Sequence, residues 1–243
     1  MENPADAAAL ARLIKGSGNT VFFGGAGVST ESGIPDFRSA RGIFSQSGEY
    51  PPEEIVSHAF FLSHPKEFYD FYTEKMIFPE AKPNAAHLGL ARLEELGKLS
   101  AVVTQNIDGL HTVAGSKTVY ELHGRVRSNY CMSCGKFYPL ESILCGGVPH
   151  CECGGLIKPD VVLYGEALDD KTVAGAIAAI SGANVLIIGG TSLNVYPASG
   201  LIRYFSGRSL VLINKTQTPA DADADIVIRE PIGEVFGKIM KEW

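Results

Sequence analysis

The sequence predicts an α/β protein with a doubly wound, Rossmann-like parallel sheet and a smaller second lobe. Short apolar, β-branched runs alternate with helical segments along most of the chain, as is typical of parallel strands covered by helices on both faces. Two segments break the alternation: residues 39–78 are rich in aromatic side chains, and residues 125–155 hold all five cysteines. We therefore predict one domain, with the larger lobe in residues 1–38, 79–124 and 156–243 and the smaller lobe in the two inserts.

The elements follow in chain order. A first helix is predicted near the N-terminus, because Asn3 can cap it, Pro4 suits its first turn and apolar residues then recur at helical spacing. Strands are predicted at TVFFGG, SAVVTQN, TVYELHG, VVLYGE, NVLIIGG, SLVLINK and DIVIRE, which begin at positions 20, 100, 118, 161, 184, 209 and 225. Further helices are predicted from Lys82, from Asp169 and from Pro231.

Composition argues against several classes of function. The chain has 243 residues, 45% hydrophobic and 20% charged, as expected of an ordinary globular protein. Its net charge of -6 gives no electrostatic reason to expect a nucleic-acid partner. No apolar run reaches the roughly 20 residues of a membrane span, and the first residues, MENPADAAALARLIKG, are acidic where a signal peptide would be basic. We expect a cytoplasmic protein that binds neither membranes nor nucleic acid.

A cluster of glycines follows the first predicted strand, in VFFGGAGVSTESGIPDFRSARG. Ligands of doubly wound sheets bind beyond the carboxyl ends of strands, where glycines let backbone amides approach a phosphate. Gly24, Gly25 and Gly27 therefore suggest a site for a dinucleotide pyrophosphate. The pattern departs from the oxidoreductase fingerprint, because Thr30 stands where Gly or Ala is needed and no strand-ending acid follows about 20 residues later. A tight strand-to-helix turn without a ligand is the alternative.

Longer motifs accompany the glycine cluster: GAGVSTESGIPDFR, TQNIDGLH, ELHG, a cysteine module, KPDVVLYGE and GGTSLNVYPA follow one another along the chain. In order and spacing they resemble the sirtuins, and the resemblance covers nearly the whole chain. It implies an NAD-dependent protein lysine deacetylase, which transfers the acetyl group from lysine to ADP-ribose and releases nicotinamide and O-acetyl-ADP-ribose. NAD is then the co-substrate, and acetylated lysine peptides or proteins are the partners.

The resemblance also implies a set of cofactor-binding residues. Asn106 and Asp108 would hold the nicotinamide carboxamide, with a helix cap on GLHTVAG as the alternative role of Asp108. Phe37 would shield the reactive carbon, and Arg38 would lie on the phosphates. The other implied cofactor-binding residues are Gly25, Ala26, Gly27, Thr30, Gln105, Ile107, Gly190, Thr191, Ser192, Asn214 and Ile232.

His123, in ELHG at the end of a predicted strand, is the candidate catalytic base. A ribose hydroxyl must lose a proton before it can attack, and histidine suits that step near neutral pH. The motif context favours His123, and with Asn106 and Asp108 it forms the predicted catalytic set. Residue chemistry alone leaves five other histidines open: His58, His64, His87, His111 and His150.

In sirtuins the peptide substrate adds as a strand between two loops, which here match VVLYGE and LNVYPA. The spacing of Tyr72 and Lys75 is similar to that of a Tyr-x-x-Arg pair in members that prefer succinyl- or malonyl-lysine. Lysine in place of arginine loses a bidentate carboxylate clamp, and a solvated helix face is the alternative, so we expect acetyl-lysine as the main substrate. The other predicted substrate-binding residues are Val161, Leu163, Tyr164, Gly165, Glu166, Asn194 and Val195.

The cysteines predict one structural zinc ion per chain. Cys131 and Cys134 lie in CMSC, and Cys151 and Cys153 lie in CEC, each pair being followed by glycine. The second pair has one intervening residue where zinc ribbons most often have two. Cys145 is the fifth thiol, and its pairing with Cys151 is the rival assignment, although disulfides are rare in the cytoplasm.

Two other function classes stay open. A mono-ADP-ribosyltransferase or NAD glycohydrolase would share the cofactor pocket and differ only in the nucleophile that captures the ribose carbon. A non-catalytic binding module would instead need a basic, aromatic surface on the cysteine-rich insert. Residues 125–158 carry Arg125, Arg127, Lys136 and Lys158 against two acids, which is a mild basic excess.

Overall fold

The structure is a computed structural model, and it describes residues 4–37, 39, 42–45 and 50–243. Asn3, the predicted cap of the first helix, and Arg38, predicted to lie on the phosphates, fall outside these residues. No helix within the described ranges is long and apolar enough to cross a membrane.

Nine strands are found in this part of the chain. They are β1 (Thr20–Gly24), β2 (Leu99–Thr104), β3 (Val119–Glu121), β4 (Gly124–Cys131), β5 (Phe137–Pro139), β6 (Ile157–Val161), β7 (Val185–Gly189), β8 (Ser209–Ile213) and β9 (Ile226–Ile228). Six of them form a sheet in the order β3-β2-β1-β7-β8-β9, in which every neighbouring pair is parallel. Because the chain leaves β1 on one side for β2 and returns on the other side for β7, the strand order reverses beside β1, where ligands of such sheets bind.

Helices cover both faces of this sheet. The helices of the described chain are α1 (Pro4–Gly16), α2 (Pro52–Ile55), α3 (His58–Ser63), α4 (Pro65–Lys75), α5 (Ala85–Glu95), α6 (Leu110–Val113), α7 (Asp170–Ser181) and α8 (Ile232–Ile239). Side chains of β1 alternate between the two faces: Phe22 packs with residues of α1, α5 and α8, while Val21 and Phe23 pack with residues of α7. The doubly wound α/β fold class predicted from the sequence is confirmed.

A second, three-stranded antiparallel sheet has the order β5-β4-β6. It shares one core with α3 and α4, to which Phe61, Phe68, Tyr69 and Tyr72 contribute their rings. Tyr69 joins helix and sheet directly, because its hydroxyl donates a hydrogen bond to the carbonyl of Ile157. The aromatic insert and the cysteine-rich insert therefore do pack together.

The prediction of a strand at 161–166 within the parallel sheet is wrong. The strand lies earlier, at β6, and pairs antiparallel with β4. Residues after Val161 are held instead by single hydrogen bonds to separate elements, from Val162 N to His123 O (2.9 Å) and from Tyr164 N to Val56 O (3.0 Å). The smaller sheet thus includes β6, which lies outside the predicted insert 125–155. The other lobe boundaries stay a prediction.

Candidate active site

A cleft of about 1080 Å³ opens at the carboxyl ends of the parallel strands. The segments that follow β1, β2, β7 and β8 meet there, because parallel strands all end at the same edge of the sheet. Asp108 is the exception among the described cofactor-binding residues, because it lines a smaller, adjoining cavity of about 50 Å³. Ala26, Phe37 and Asn106 line both the smaller cavity and the cleft. The cleft itself is lined by Gly25, Ala26, Gly27, Thr30, Phe37, Gln105, Asn106, Ile107, Gly190, Thr191, Ser192, Asn214 and Ile232.

The glycines bring two strand ends into backbone contact. The amide of Gly27 donates to the carbonyl of Gly190 (2.8 Å), and that of Gly25 donates to the carbonyl of Gly189 (3.2 Å). A Cβ atom on Gly27 would lie 2.8 Å from the Gly190 Cα atom, and Gly190 has a φ of +58°, which favours glycine. A short 3₁₀ turn, Ala26–Val28, follows in place of an α-helix. Close backbone packing and the tight turn, which was the alternative without a ligand, are sufficient to explain these glycines.

Ser29, which the sequence analysis did not single out, connects the two predicted nicotinamide-holding residues. Its hydroxyl donates to Asp108 Oδ2 at 2.7 Å and accepts from Asn106 Nδ2 at 3.0 Å. Asp108 Oδ1 accepts from the amide of Leu110 at 2.8 Å. Asp108 therefore supports the turn before α6, whose N-cap residue is Gly109, and also fixes Ser29. Asn106 is buried with its amide orientation set by Ser29.

Two buried histidines lie behind this network. His87 Nε2 is 3.5 Å from Ser29 Oγ, while His87 Nδ1 accepts from the amide of Asn84 at 3.2 Å, which places the ring proton on Nε2. Burial lowers the pKa of His87 to about 4, although Asp108 opposes the shift. Burial, with a smaller contribution from His87, lowers the pKa of His111 to about 3. The two rings lie 4.7 Å apart, so an uncharged pair supports the polar site.

From the sequence, these histidines were only alternative candidates for the base. The available signal was Asn84 followed three positions later by His87, since the two form a capping box at the start of α5. That pattern predicts a helix start, and it does not say that the same ring reaches Ser29.

His123 lines the cleft with one ring nitrogen already engaged. Its Nδ1 lies 2.9 Å from the carbonyl oxygen of Gln105. Because a carbonyl only accepts, Nδ1 carries the proton, and Nε2 keeps the free lone pair of the neutral ring. Burial lowers the pKa of His123, and the Gln105 hydrogen bond opposes part of that shift. The arrangement can accept a proton at Nε2 near neutral pH.

The second predicted group of residues lies on the two loops beside His123. Val161, Leu163, Tyr164, Gly165 and Glu166 line the cleft from one side, and Val195 lines it from the other. Asn194 is exposed and does not line the cleft.

Tyr72 and Lys75 are not brought to the cleft. Tyr72 is fully buried in the smaller lobe, where its ring stacks on Phe68 with 5.4 Å between centroids. Its hydroxyl has no hydrogen-bond partner within the described chain. Lys75 Nζ forms an ion pair with Glu74 at 2.8 Å. These positions give no support to a clamp for acidic acyl groups, and the alternative of a solvated helix face does not hold for the buried Tyr72.

The four predicted zinc ligands come together. Their sulfur atoms all lie within 4.8 Å of one another, with 3.5 Å between Cys131 and Cys153 and 3.6 Å between Cys134 and Cys151. A tetrahedral zinc site with Zn–S bonds of about 2.3 Å has sulfur–sulfur edges of about 3.8 Å, so the four thiols fit the ion. The backbone amide of Cys153 contributes most to lowering the pKa of Cys151 to about 6, whereas neighbouring thiols raise the pKa of Cys134 and of Cys153 against an opposing backbone amide, as expected where four thiols crowd one site. Cys145 is exposed and outside the cluster, against the rival pairing.

Comparison with known proteins agrees with this geometry. The chain matches the Sir2 family model over residues 25–197. It is 61% identical over 236 residues to the NAD-dependent protein deacetylase of Clostridium perfringens, covering 95% of this chain and 97% of that protein. Its identity to the NAD-dependent protein deacetylase of Clostridium acetobutylicum is 56% over 236 residues, covering 95% and 96%.

Solved structures agree as well. A Sir2 complex with a p53 peptide and NAD+ has a TM-score of 0.85 at 42% identity, covering 96% of this chain and 97% of that chain. A Sir2 variant with a deacetylated p53 peptide and 3'-O-acetyl ADP ribose has a TM-score of 0.89 at 42% identity, covering 98% of both chains. The chain therefore belongs to the Sir2 family, the sirtuins that its motifs resemble.

Proposed function

We propose that the protein is an NAD-dependent protein lysine deacetylase, which transfers acetyl from lysine to ADP-ribose and releases nicotinamide. One observation carries the proposal: the unprotonated Nε2 of His123 and the buried amide of Asn106 belong to one cleft at the strand ends. The first group can remove a proton from a hydroxyl, and the second can orient a carboxamide. The high identity to proteins named NAD-dependent protein deacetylase supports the same conclusion.

NAD supplies a ribose carbon that becomes electrophilic as nicotinamide leaves. The roles of the surrounding residues follow from their positions. Asn106, held by Ser29, orients the nicotinamide amide, and Asp108 keeps Ser29 in place. Phe37 excludes water from the ribose, because it lines both the cleft and the smaller cavity. Thr191 accepts from Gln105 Nε2 at 3.1 Å, which ties the ends of β2 and β7 around the cofactor.

His123 acts after nicotinamide has left. The acyl oxygen would take the place of nicotinamide on the ribose carbon. His123 Nε2 would then take the proton of a ribose hydroxyl, which would attack the resulting imidate carbon, and addition of water would release the lysine amine and O-acetyl-ADP-ribose. The lowered pKa of His123 keeps the ring neutral at physiological pH, and the Gln105 carbonyl stabilises the imidazolium that forms. Zinc holds the smaller lobe together through Cys131, Cys134, Cys151 and Cys153 and takes no part in the chemistry.

Acetylated lysine peptides or proteins are the proposed partners, bound as an extended strand between residues 161–166 and 193–198. Specificity would then come largely from main-chain hydrogen bonds, so we expect weak sequence selectivity. The cytoplasmic location and the absence of a nucleic-acid partner stay predictions from composition.

Mass spectrometry of the products from an acyl-peptide panel with NAD tests the proposal. We expect deacetylated peptide, nicotinamide and O-acetyl-ADP-ribose in equal amounts. Free ADP-ribose with intact peptide would show an NAD glycohydrolase, and a peptide or protein heavier by ADP-ribose would show a transferase. Desuccinylation more than about tenfold more efficient than deacetylation, about 1.4 kcal/mol in the transition state, would contradict the expected acyl preference.

A further inference from the structure

Three polar side chains from separate parts of the chain meet beside the predicted substrate loop. His58 begins α3, Lys158 lies in β6, and Glu166 ends the loop. His58 Nδ1 is 2.7 Å from Glu166 Oε1, and Lys158 Nζ is 3.0 Å from Glu166 Oε2. The side chains of Lys158 and Glu166 are only 18% and 19% exposed and that of His58 is 40% exposed, so the carboxylate is more sheltered than in an ordinary surface ion pair.

The Glu166 carboxylate is fully engaged by the protein. Oε2 also accepts from the amide of Leu163 at 2.8 Å, which closes the turn of the loop upon itself. Burial raises the pKa of Glu166, but the Leu163 amide, His58 and Lys158 together outweigh it and hold that pKa below its usual value. Glu166 is therefore a charged internal anchor, and not a side chain that reaches for a peptide, as its place among the predicted substrate residues suggested.

His58 holds the same loop through its backbone. Its amide donates to the carbonyl of Tyr164 at 2.9 Å, and the amide of Tyr164 donates to the carbonyl of Val56 at 3.0 Å. Ser57 fixes this end of α3 by accepting from the amide of Phe60 at 3.2 Å. His58 thus reaches the loop from a rigid helix start, with a backbone and a side-chain contact.

We propose that His58 is a positioning residue for the peptide substrate. Through Glu166 it holds residues 161–166 against the helical insert, in the conformation that pairs with an extended acyl-lysine peptide. The inference rests on the proposed deacetylase function. Among the described residues His58 does not line the cleft, whereas Tyr164 and Glu166 do, so its influence passes through the loop. The cofactor residues at the ends of β1, β2 and β7 have no contact with His58 in the hydrogen-bond network described above.

The test compares His58→Ala with His58→Asn in the full chain. Alanine removes the Nδ1 donor, and asparagine places an amide donor near the same position. Steady-state kinetics should show the KM for acetyl-peptide raised roughly five- to tenfold by His58→Ala, the size expected for the loss of one typical hydrogen bond. The kcat and the KM for NAD should stay within about twofold, and His58→Asn should recover most of the loss. Lys66→Ala, which breaks the exposed ion pair with Asp70 on α4, is the matched control and should behave as the parent does.

Hydrogen exchange of the free protein supplies a second measurement that needs no activity. His58→Ala should speed exchange of the Leu163 and Tyr164 amides, and Lys66→Ala should not. Unchanged exchange overturns the proposal, as does an unchanged peptide KM, an equal rise in both KM values or a failure of His58→Asn to recover binding. If His58→Ala speeds exchange of these amides but the parent protein deacetylates no peptide, the proposed function and the role in peptide binding are contradicted. The anchoring of the loop by His58 is then still demonstrated.

Discussion

The two sheets of this protein are stabilised in different ways. In the parallel sheet, every residue of β1 and β7 is buried, and apolar cores lie on both faces. In the antiparallel sheet, no residue of β5 is buried, and one aromatic core from α3 and α4 supports the strands together with Cys131 and Cys151. The larger sheet has an apolar core on each face, whereas the smaller sheet shares a single core with α3 and α4, to which two of the cysteines contribute.

This difference separates the two halves of the site. Groups that act on the cofactor follow strands of the larger sheet, where backbone contacts such as Gly27 with Gly190 place them. The loop proposed to receive the peptide follows β6 of the smaller sheet and is held by His58 from α3 and by Lys158 from β6. We therefore expect damage to the smaller sheet to affect its fold and peptide binding first, and damage to the larger sheet to affect global stability and cofactor chemistry.

The largest effect should come from Cys151→Ala. Removal of one thiolate should release the zinc and unfold the smaller lobe, because such sites couple metal binding to folding. The measured metal content should fall from one ion per chain to none. Amide hydrogen exchange should become faster in the cysteine-rich insert, while the amides of β1 and β7 stay protected. Cys145→Ala is the control and should keep its metal. The assignment is wrong if metal stays after Cys151→Ala and is lost after Cys145→Ala.

His123→Ala should affect chemistry while leaving both sheets folded. Formation of O-acetyl-ADP-ribose should fall by roughly 10² to 10⁴, the contribution of a positioned general base. Exchange of labelled nicotinamide into NAD reports the earlier step and should fall much less. Asn106→Ala should suppress both measurements, because it acts on nicotinamide itself. A near-parental rate for His123→Ala, or exchange as weak as in Asn106→Ala, would show that His123 is not the late-acting base.

Gly27→Ala tests the backbone contact between β1 and β7. The added Cβ would lie 2.8 Å from Gly190 backbone atoms, which cannot move aside as a flexible side chain can. We expect a loss of about 1–3 kcal/mol in the free energy of unfolding, together with weaker NAD binding. Gly237→Ala is the control, since nothing lies within 4 Å of its Cβ position in α8 and alanine is the better helix former by about 1 kcal/mol. Denaturant midpoints that move in the same direction for both variants would contradict this account.

The last expected effect appears only at acid pH. The pKa values of His87 and His111, about 4 and about 3 in the folded chain, lie below the usual value of 6.5. Below pH 6.5 these histidines become protonated in the unfolded chain while they stay neutral in the folded chain. The free energy of unfolding therefore decreases as the pH falls, by up to about 1.4 kcal/mol per pH unit for each histidine. His111→Phe should make the pH dependence of the free energy of unfolding shallower between about pH 6 and pH 4, by the contribution of one proton. Urea titrations at several pH values measure it, and a slope equal to the parent's would exclude His111 as a contributor.

Local patterns in the sequence were sufficient for much of the site. Each of the useful patterns spans only a few consecutive residues. They are the apolar strand runs, the glycines after β1, the histidine at the end of ELHG and the paired cysteines. Such patterns report backbone geometry, and the geometry of parallel strand ends then brings Asn106, His123 and Thr191 to one cleft. The fold class, the family and the zinc ligands followed from these signals.

Only the tertiary structure decided the partners of these groups. Ser29 meets Asp108 across 79 residues of chain, and His58 meets Glu166 across 108. The apolar run after Asp160 could not reveal that the strand lies earlier, at β6, because that strand is defined by its pairing with β4 in another part of the chain. The spacing of Tyr72 and Lys75 likewise could not show that the Tyr72 ring is buried against Phe68. Periodicity records which residues are buried or turned, whereas contacts between distant segments depend on how the elements pack.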